Sequence, residues 1–230
     1  MSQILRTKCI ILRRTNYGET DRILTVLTPD SGQLSVIARG VRKEKSRLAG
    51  GIELFAISEI TLTRSSKNTG DMWTLTGARL NTFFAQIMED YDRLQFGYDA
   101  IKQTAKASQQ IDEPDFYELL AEVLEALNDK KIDLKITKTW FYLRLAKLLG
   151  NELNTATDNN GMKLVEDARY NFDAHEQVFI FDRDGKFDAP TIKLLRILLA
   201  NSPQTAARIS NVEKLIENCL WAAKTVILVA

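Results

Sequence analysis

The chain is poor in the residues that build metal-held or cross-linked scaffolds: 230 residues contain 2 cysteines, 1 histidine and 4 prolines. Cys9 and Cys219 stand far apart in apolar settings, with no paired spacing to each other or to His175. A disulfide framework and a structural zinc are both unexpected, and a reducing cytoplasm fits best. His175 has no second histidine or cysteine nearby and is expected to meet solvent or a hydrogen-bond partner. Long hydrophobic runs are missing too. Residues 219–230 are mostly apolar but interrupted by Lys224, well short of the roughly 20 residues that cross a bilayer, so they read as a buried helix. Arg6 and Lys8 precede any long apolar run, so no signal peptide and no membrane are expected. The chain also lacks a Gly-rich phosphate loop, a nucleophile elbow and a metal-binding helix motif. Nothing here asks for a cofactor or a catalytic group, and the expectation is that the protein is not an enzyme.

What is present begins with charge. The overall formal balance is only +1, yet residues 1–80 carry 13 Lys+Arg against 7 Asp+Glu and residues 81–230 carry 18 against 23. A basic first part beside a near-neutral or acidic body suits a polyanionic ligand.

The first 80 residues are written largely in period 2, the mark of half-buried strands. Strands are expected at 4–14, 22–28, 33–39, 59–64 and 72–76, with Asn16, Tyr17 and Gly18 in one turn and Pro29, Asp30, Ser31 and Gly32 in the next. Five short strands with no room for crossover helices imply a small antiparallel barrel of the OB type. From about residue 81 the period becomes 3.6, opening with a stripe at Phe83, Ile87, Tyr91, Leu94, Tyr98 and Ile101. Pro114 can start a second helix burying Phe116, Leu119, Leu120, Val123, Leu124 and Leu127, and a third stops at Gly150. A fourth starts at Pro190, and a last is capped by Asn211 and buries Leu215, Ile216, Cys219 and Leu220. Residues 151–189 break the helical pattern as a loop followed by a hairpin, with Asp184 and Gly185 at a turn. The fold class expected is α+β, with an OB barrel over 1–80 and a mainly helical domain over 81–230.

The strongest chemical feature is the run Arg39, Arg42, Lys43, Lys45 and Arg47, opposed in nine residues by Glu44 alone. It follows a strand directly, and loops of such barrels are where nucleic acid is met. Arg13, Arg14 and Arg22 can extend the surface if the first two strands lie alongside. Tyr17, Phe55 and Trp73 are the aromatics of this part; Phe55 reads as core, and Tyr17 is the better stacking candidate, with packing on its own strand the equal alternative. So few platforms favour binding dominated by the phosphate backbone, tolerant of sequence and sensitive to salt. Glu19 and Asp21 read as ion-pair partners of neighbouring arginines rather than a catalytic pair. The run at 182–185 opens like a calcium loop but lacks the later oxygen ligands and closing glutamate, which leaves a turn.

An ordered series of residues then points to one family. Tyr17, Gly18, Glu19, Thr20, Asp21, Arg22, Ile23 and Leu24 are followed by Thr28, by Gly32, Gln33 and Leu34, by Ala38, Arg39, Gly40, Val41 and Arg42, and by Lys45, Ser46, Arg47 and Leu48. This set resembles the N-terminal domain of the RecO family of bacterial recombination mediators. The resemblance implies a protein that binds single- and double-stranded DNA, anneals complementary strands and assists recombinase loading onto strands coated by single-strand-binding protein. It implies as partners RecR and the acidic C-terminal tail of the single-strand-binding protein, and a cytoplasmic, nucleoid-associated location. Arg22, Arg39, Arg42, Lys45 and Arg47 become the leading DNA contacts, while Gly18, Gly32 and Gly40 serve turns. Many members carry a four-cysteine zinc site in the helical domain. This chain has no CxxC, and its hairpin near 171–187 is expected to occupy that place. Arg144, Lys147, Lys193 and Arg196 are candidate rim cations for a tail pocket. The competing class is a protein-interaction scaffold whose barrel is only a docking module.

Overall fold

A computed structural model describes residues 2–65, 72–109, 111 and 114–229. Strands β1 (Ser2–Tyr17), β2 (Asp21–Thr28), β3 (Gly32–Ala38), β4 (Ala56–Ser65) and β5 (Trp73–Phe83) close into a barrel in the order β1-β2-β3-β5-β4. All neighbours are antiparallel except β3 and β5, which run parallel. This is the five-stranded OB arrangement. Strand β1 is long because it serves two partners: Ser2 to Ile10 pair with β4, and Ile10 to Tyr17 pair with β2. Its register shifts between Ile11 and Arg13, where the strand bends from one partner toward the other. Leu24, Val26, Val36, Ala38, Ile60, Leu62 and Leu75 alternate inward, together with Cys9 and Ile11. Burial pushes the Cys9 thiol up to about 12, as expected of an inert core thiol.

Strand β5 continues to Phe83, so the helical stripe expected from that residue does not exist as drawn. A 3-10 turn at Ala85–Glu89 intervenes, and helix α1 (Tyr91–Ala107) is capped by Asp90, whose side chain accepts from the Arg93 amide. The buried face of α1 is Phe96, Gly97, Ala100, Ile101 and Thr104, while Tyr91 and Tyr98 are exposed. Small residues face inward because the helix lies close to Phe55: a Cβ on Gly97 would come within 2.8 Å of that ring. Phe55 itself is buried at φ +54°, and its ring meets Tyr98 edge-on at 4.9 Å. Helix α2 (Asp115–Asn128) buries the six apolar residues expected of it, and the Arg93 guanidinium donates to the Leu127 carbonyl at its end.

The chain divides by contacts into two compact units, Met1–Asn128 and Asp129–Ala230. Helices α1 and α2 thus belong to the same unit as the barrel. That changes the reading of the charge. Residues 81–128 hold 3 Lys+Arg against 10 Asp+Glu, whereas residues 129–230 hold 15 against 13. The acidic part is the α1–α2 region of the first unit, and the second unit is close to neutral.

The second unit contains α3 (Leu134–Leu148), β6 (Tyr170–Asp173), β7 (Val178–Phe181), α4 (Ala189–Ala200), the short α5 (Pro203–Ala206) and α6 (Val212–Val229). Helix α3 ends before Gly150 at φ +85°. Helix α4 starts one residue before the expected Pro190 and is capped by Asp188, whose carboxylate accepts from the Thr191 amide. Asn211 lies at φ +59°, outside the extended conformation of a side-chain cap, and offers its backbone carbonyl to the Lys214 amide. The hairpin is β6 with β7, turning through His175 and Glu176, whose amides both bond the Asp173 carboxylate. The run at 182–185 is a second turn that returns Phe187 to bridge Tyr170. Two strands of four residues are marginal alone. Here Phe172, Phe179 and Phe187 pack tilted or edge-on with centroids 5.2 to 6.3 Å apart, and Phe172 meets Trp221 of α6 at 90°.

Candidate nucleic-acid interface

The pairing of β1, β2 and β3 decides which side chains share a face. Arg13, Thr25 and Ser35 form one outward rank, Thr15, Ile23 and Ile37 the next, and Tyr17 and Asp21 the last, with Arg39 just past the end of β3. Four residues of strand separate Arg13 from Tyr17, about 13 Å at roughly 3.3 Å per residue. Arg14 and Arg22 have the opposite parity, in register with the inward Leu24 and Ala38. Arg14 is consumed there: its guanidinium donates to Glu53 at 2.9 Å and to the Ile52 carbonyl at 3.3 Å, closing one end of the barrel. Arg22 donates to the Asn16 side chain at 3.2 Å. Neither stands beside Arg13 and Arg39 on the outer face, because a strand alternates sides at every residue.

The basic run lies in the connection from β3 to β4, and it is tied down. The Gly40 amide donates to the Asp21 carboxylate at 2.7 Å, and the Thr20 hydroxyl to the same oxygen at 2.9 Å. The Arg42 amide donates to the Thr20 carbonyl at 2.9 Å, and its guanidinium to the Gly18 carbonyl at 3.0 Å. Gly40 at φ +64° and Gly18 at φ +58° supply the left-handed corners that bring the two loops together. Asp21 therefore acts chiefly as a hydrogen-bond anchor rather than as an arginine's ion-pair partner. Its carboxyl is held below the usual range by the Gly40 amide first, then by Thr20 and by the charges of Arg39 and Lys43. Arg39, Arg42, Lys43, Lys45 and Arg47 are all exposed. Among the described residues, the side chains of Arg39, Lys43, Lys45 and Arg47 make no hydrogen bond or ion pair. These cations are therefore available to an incoming anion.

At the Arg13 end the same face opens into two adjoining cavities of about 450 and 430 Å³, which share Thr25, Gln33 and Gln109. The second also takes in Arg13, Tyr98 and Lys102. Gln33 fixes the wall, its side-chain amide donating to the Ala105 carbonyl and the Ser108 hydroxyl of α1. Tyr98 and Lys102 were not legible as site residues, because which side of α1 meets the barrel follows from packing. Tyr17, 55% exposed, and Tyr98, 46% exposed, are the aromatics on this face. Trp73 is engaged elsewhere, with the Arg64 guanidinium 4.7 Å above its ring.

In the second unit the four candidate rim cations all have protein partners: Arg144 donates to the Leu199 carbonyl, Arg196 to the Thr155 carbonyl, and Lys147 and Lys193 pair with Glu152 and Glu166. His175 is exposed beside Glu176. A four-cysteine zinc site does not fit this chain. Its two cysteines are buried separately, Cys9 in the barrel core and Cys219 on α6 against the Thr191 carbonyl. Among the described residues no three His, Cys, Asp or Glu side chains gather as metal ligands, and no helix is long and apolar enough to cross a membrane.

The fold and this face define an α+β protein built on an OB barrel, with a cationic loop anchored at one end of its β1–β2–β3 surface. Comparison with known proteins places it more closely. The family model for the Recombination protein O N-terminal domain matches residues 1–84, and that for the C-terminal domain matches residues 105–220. The chain is 32% identical over 189 residues to the DNA repair protein RecO of Rubrobacter xylanophilus, covering 81% of this chain and 73% of that one. It is 32% identical over 146 residues to the protein of the same name from Dehalococcoides mccartyi, covering 63% and 56%. It spans about half the length of the Dehalococcoides mccartyi relatives it matches. The chain belongs to the RecO family, a family of recombinational DNA repair proteins.

Proposed function

We propose that this chain is a non-catalytic DNA-binding mediator that anneals complementary single strands and assists recombinase loading onto strands coated by single-strand-binding protein. The barrel over 1–80 holds single- or double-stranded DNA. The remainder, 81–230, serves protein partners, namely RecR and the acidic tail of the single-strand-binding protein, in the cytoplasm at the nucleoid. One observation carries the DNA part of the reading: a loop with five exposed cations is stapled to the β1–β2 turn at the end of the barrel face on which OB folds take nucleic acid. Annealing needs no reacting group. Cations lower the repulsion between two polyanions, and contacts that exchange readily let base pairing select the product. The partners rest on family membership alone.

The test is annealing of two complementary fluorescent oligonucleotides without nucleotide, across a salt series, for the native chain and for R39A/R42A/K43A. Acceleration should fade with salt. The triple variant should bind single strands more weakly, with a salt slope lower by about 2, at roughly 0.7 per phosphate contact. Native-like affinity of the variant at low salt would move the site off this loop. No binding by the native chain would leave the scaffold reading in front.

A further inference from the structure

Opposite sides of a closed barrel cannot share one ligand surface, and the outer face of β1, β4 and β5 has a cationic groove of its own. Along the first half of β1, Arg6 and Lys8 point outward two residues apart, about 7 Å by strand rise. The pairing sets Arg6 beside Thr61 and Gly77, and Lys8 beside Glu59 and Arg79. These residues line a cavity of about 490 Å³ on the barrel wall. Its floor is open because residue 77 is glycine: a Cβ there would sit 3.4 Å from Thr61, in the space the groove occupies. Arg79 and Glu59 are paired at 2.6 Å and both partly exposed, so the acid neutralises one of the three cations. Among the described residues, the side chains of Arg6 and Lys8 have no hydrogen bond or ion pair.

We propose that this groove is a second, separate binding site for the phosphate backbone of a polynucleotide strand, occupied while the β1–β2–β3 face holds another. Three features favour a polynucleotide over a small anion or an acidic peptide. The groove is open to solvent, with Arg6, Thr7 and Lys8 of β1 along its lining. Its two unpartnered cations repeat at a spacing comparable to that of successive phosphates in an extended strand. Its floor offers the Thr61 hydroxyl and glycine backbone, suited to the sugar–phosphate chain, between the cations Arg6, Lys8 and Arg79. Strand β1 links the two sites: its first half carries Arg6 and Lys8, its second half Arg13 and Tyr17. This inference rests on the nucleic-acid reading of the barrel, and its test separates the two.

The experiment titrates the full chain with a short fluorescent oligothymidylate at low salt, reading stoichiometry and salt slope for the native protein, R6Q/K8Q, G77V and R39A/R42A/K43A. Far-UV circular dichroism checks the fold; valine is a good strand residue and leaves every charge in place. The expected result is two oligonucleotides per native chain and one for R6Q/K8Q and for G77V. The residual site of R6Q/K8Q should be lost on adding the loop substitutions, and the second site's affinity should fall about tenfold or more. A native stoichiometry of one, or two sites that persist in both R6Q/K8Q and G77V, would overturn the groove while leaving the loop reading standing. Failure of the native chain to bind any strand would overturn both.

Discussion

Asp21 is the residue on which the interface depends most while touching no ligand. Its carboxylate receives the Gly40 amide and the Thr20 hydroxyl, and so holds the start of the basic loop against the β1–β2 turn. D21A should keep the barrel, whose core it does not enter, but loosen the loop and weaken single-strand binding several-fold. Unchanged affinity would show that the cations need no anchoring. Because its folded pKa lies below the ordinary 3.8, the anchor is fully present above that value and is lost as pH falls through the lower folded value. The Gly40 amide resonance, followed by NMR, should hold its position until the pH is below 3.8; a shift above that pH would contradict the assignment. Gly185 is a residue of another kind. A Cβ there would lie 2.4 Å from the Tyr170 carbonyl carbon, so G185A should cost about 1–3 kcal/mol in a denaturant titration.

At the scale of elements, aromatic packing supplies the cohesion of the β6–β7 hairpin. Phe179 is fully buried and touches Tyr170, Phe172 and Phe187. F179A should destabilise the second unit by about 3–5 kcal/mol. Near-UV circular dichroism from the surrounding rings, read against denaturant, measures it; a loss under 1 kcal/mol would mean that the hairpin is not held by this cluster. The same substitution should leave single-strand binding by the barrel intact, since the cations proposed to bind lie in the first unit.

For the whole molecule, the relevant quantity is the distribution of charge rather than its sum. The barrel is basic, the α1–α2 region packed in the same unit carries a balance of −7, and the second unit is near neutral. A DNA strand should therefore be attracted to the barrel and the Tyr98–Lys102 side of α1, and turned away from α2. Photo-crosslinking of a single strand should label peptides from residues 2–65 and leave those from 115–128 unlabelled. Predominant labelling of the helices would reverse the proposed polarity. Raising the salt should reduce the crosslinks on both barrel faces together, because screening acts on all exposed charges.

Much of this was legible without coordinates. Alternation at Leu34, Val36 and Ala38 and at Ile60 and Leu62 marked the inward faces because a strand has a strict period of 2. The turn glycines and the basic run were visible as local chemistry, and α2 as a plain 3.6 stripe. Other features depended on distant partners. Arg13 and Arg14 look alike in sequence, but one faces outward beside a cavity and the other is spent on Glu53. The inward face of α1 differs from the expected stripe because Gly97 lets the helix approach Phe55 closely while Tyr91 and Tyr98 stay exposed. Cross-strand register alone put Arg6 in one rank with Gly77 and Lys8 in one with Arg79, across β4, and such a juxtaposition of segments some 70 residues apart leaves no mark on either. The sequence by itself determined the periodicities, the turns, the loop charge and the family. Tertiary structure decided which cations share a face and which helices join the barrel, because those choices depend on pairing and close packing between segments remote along the chain.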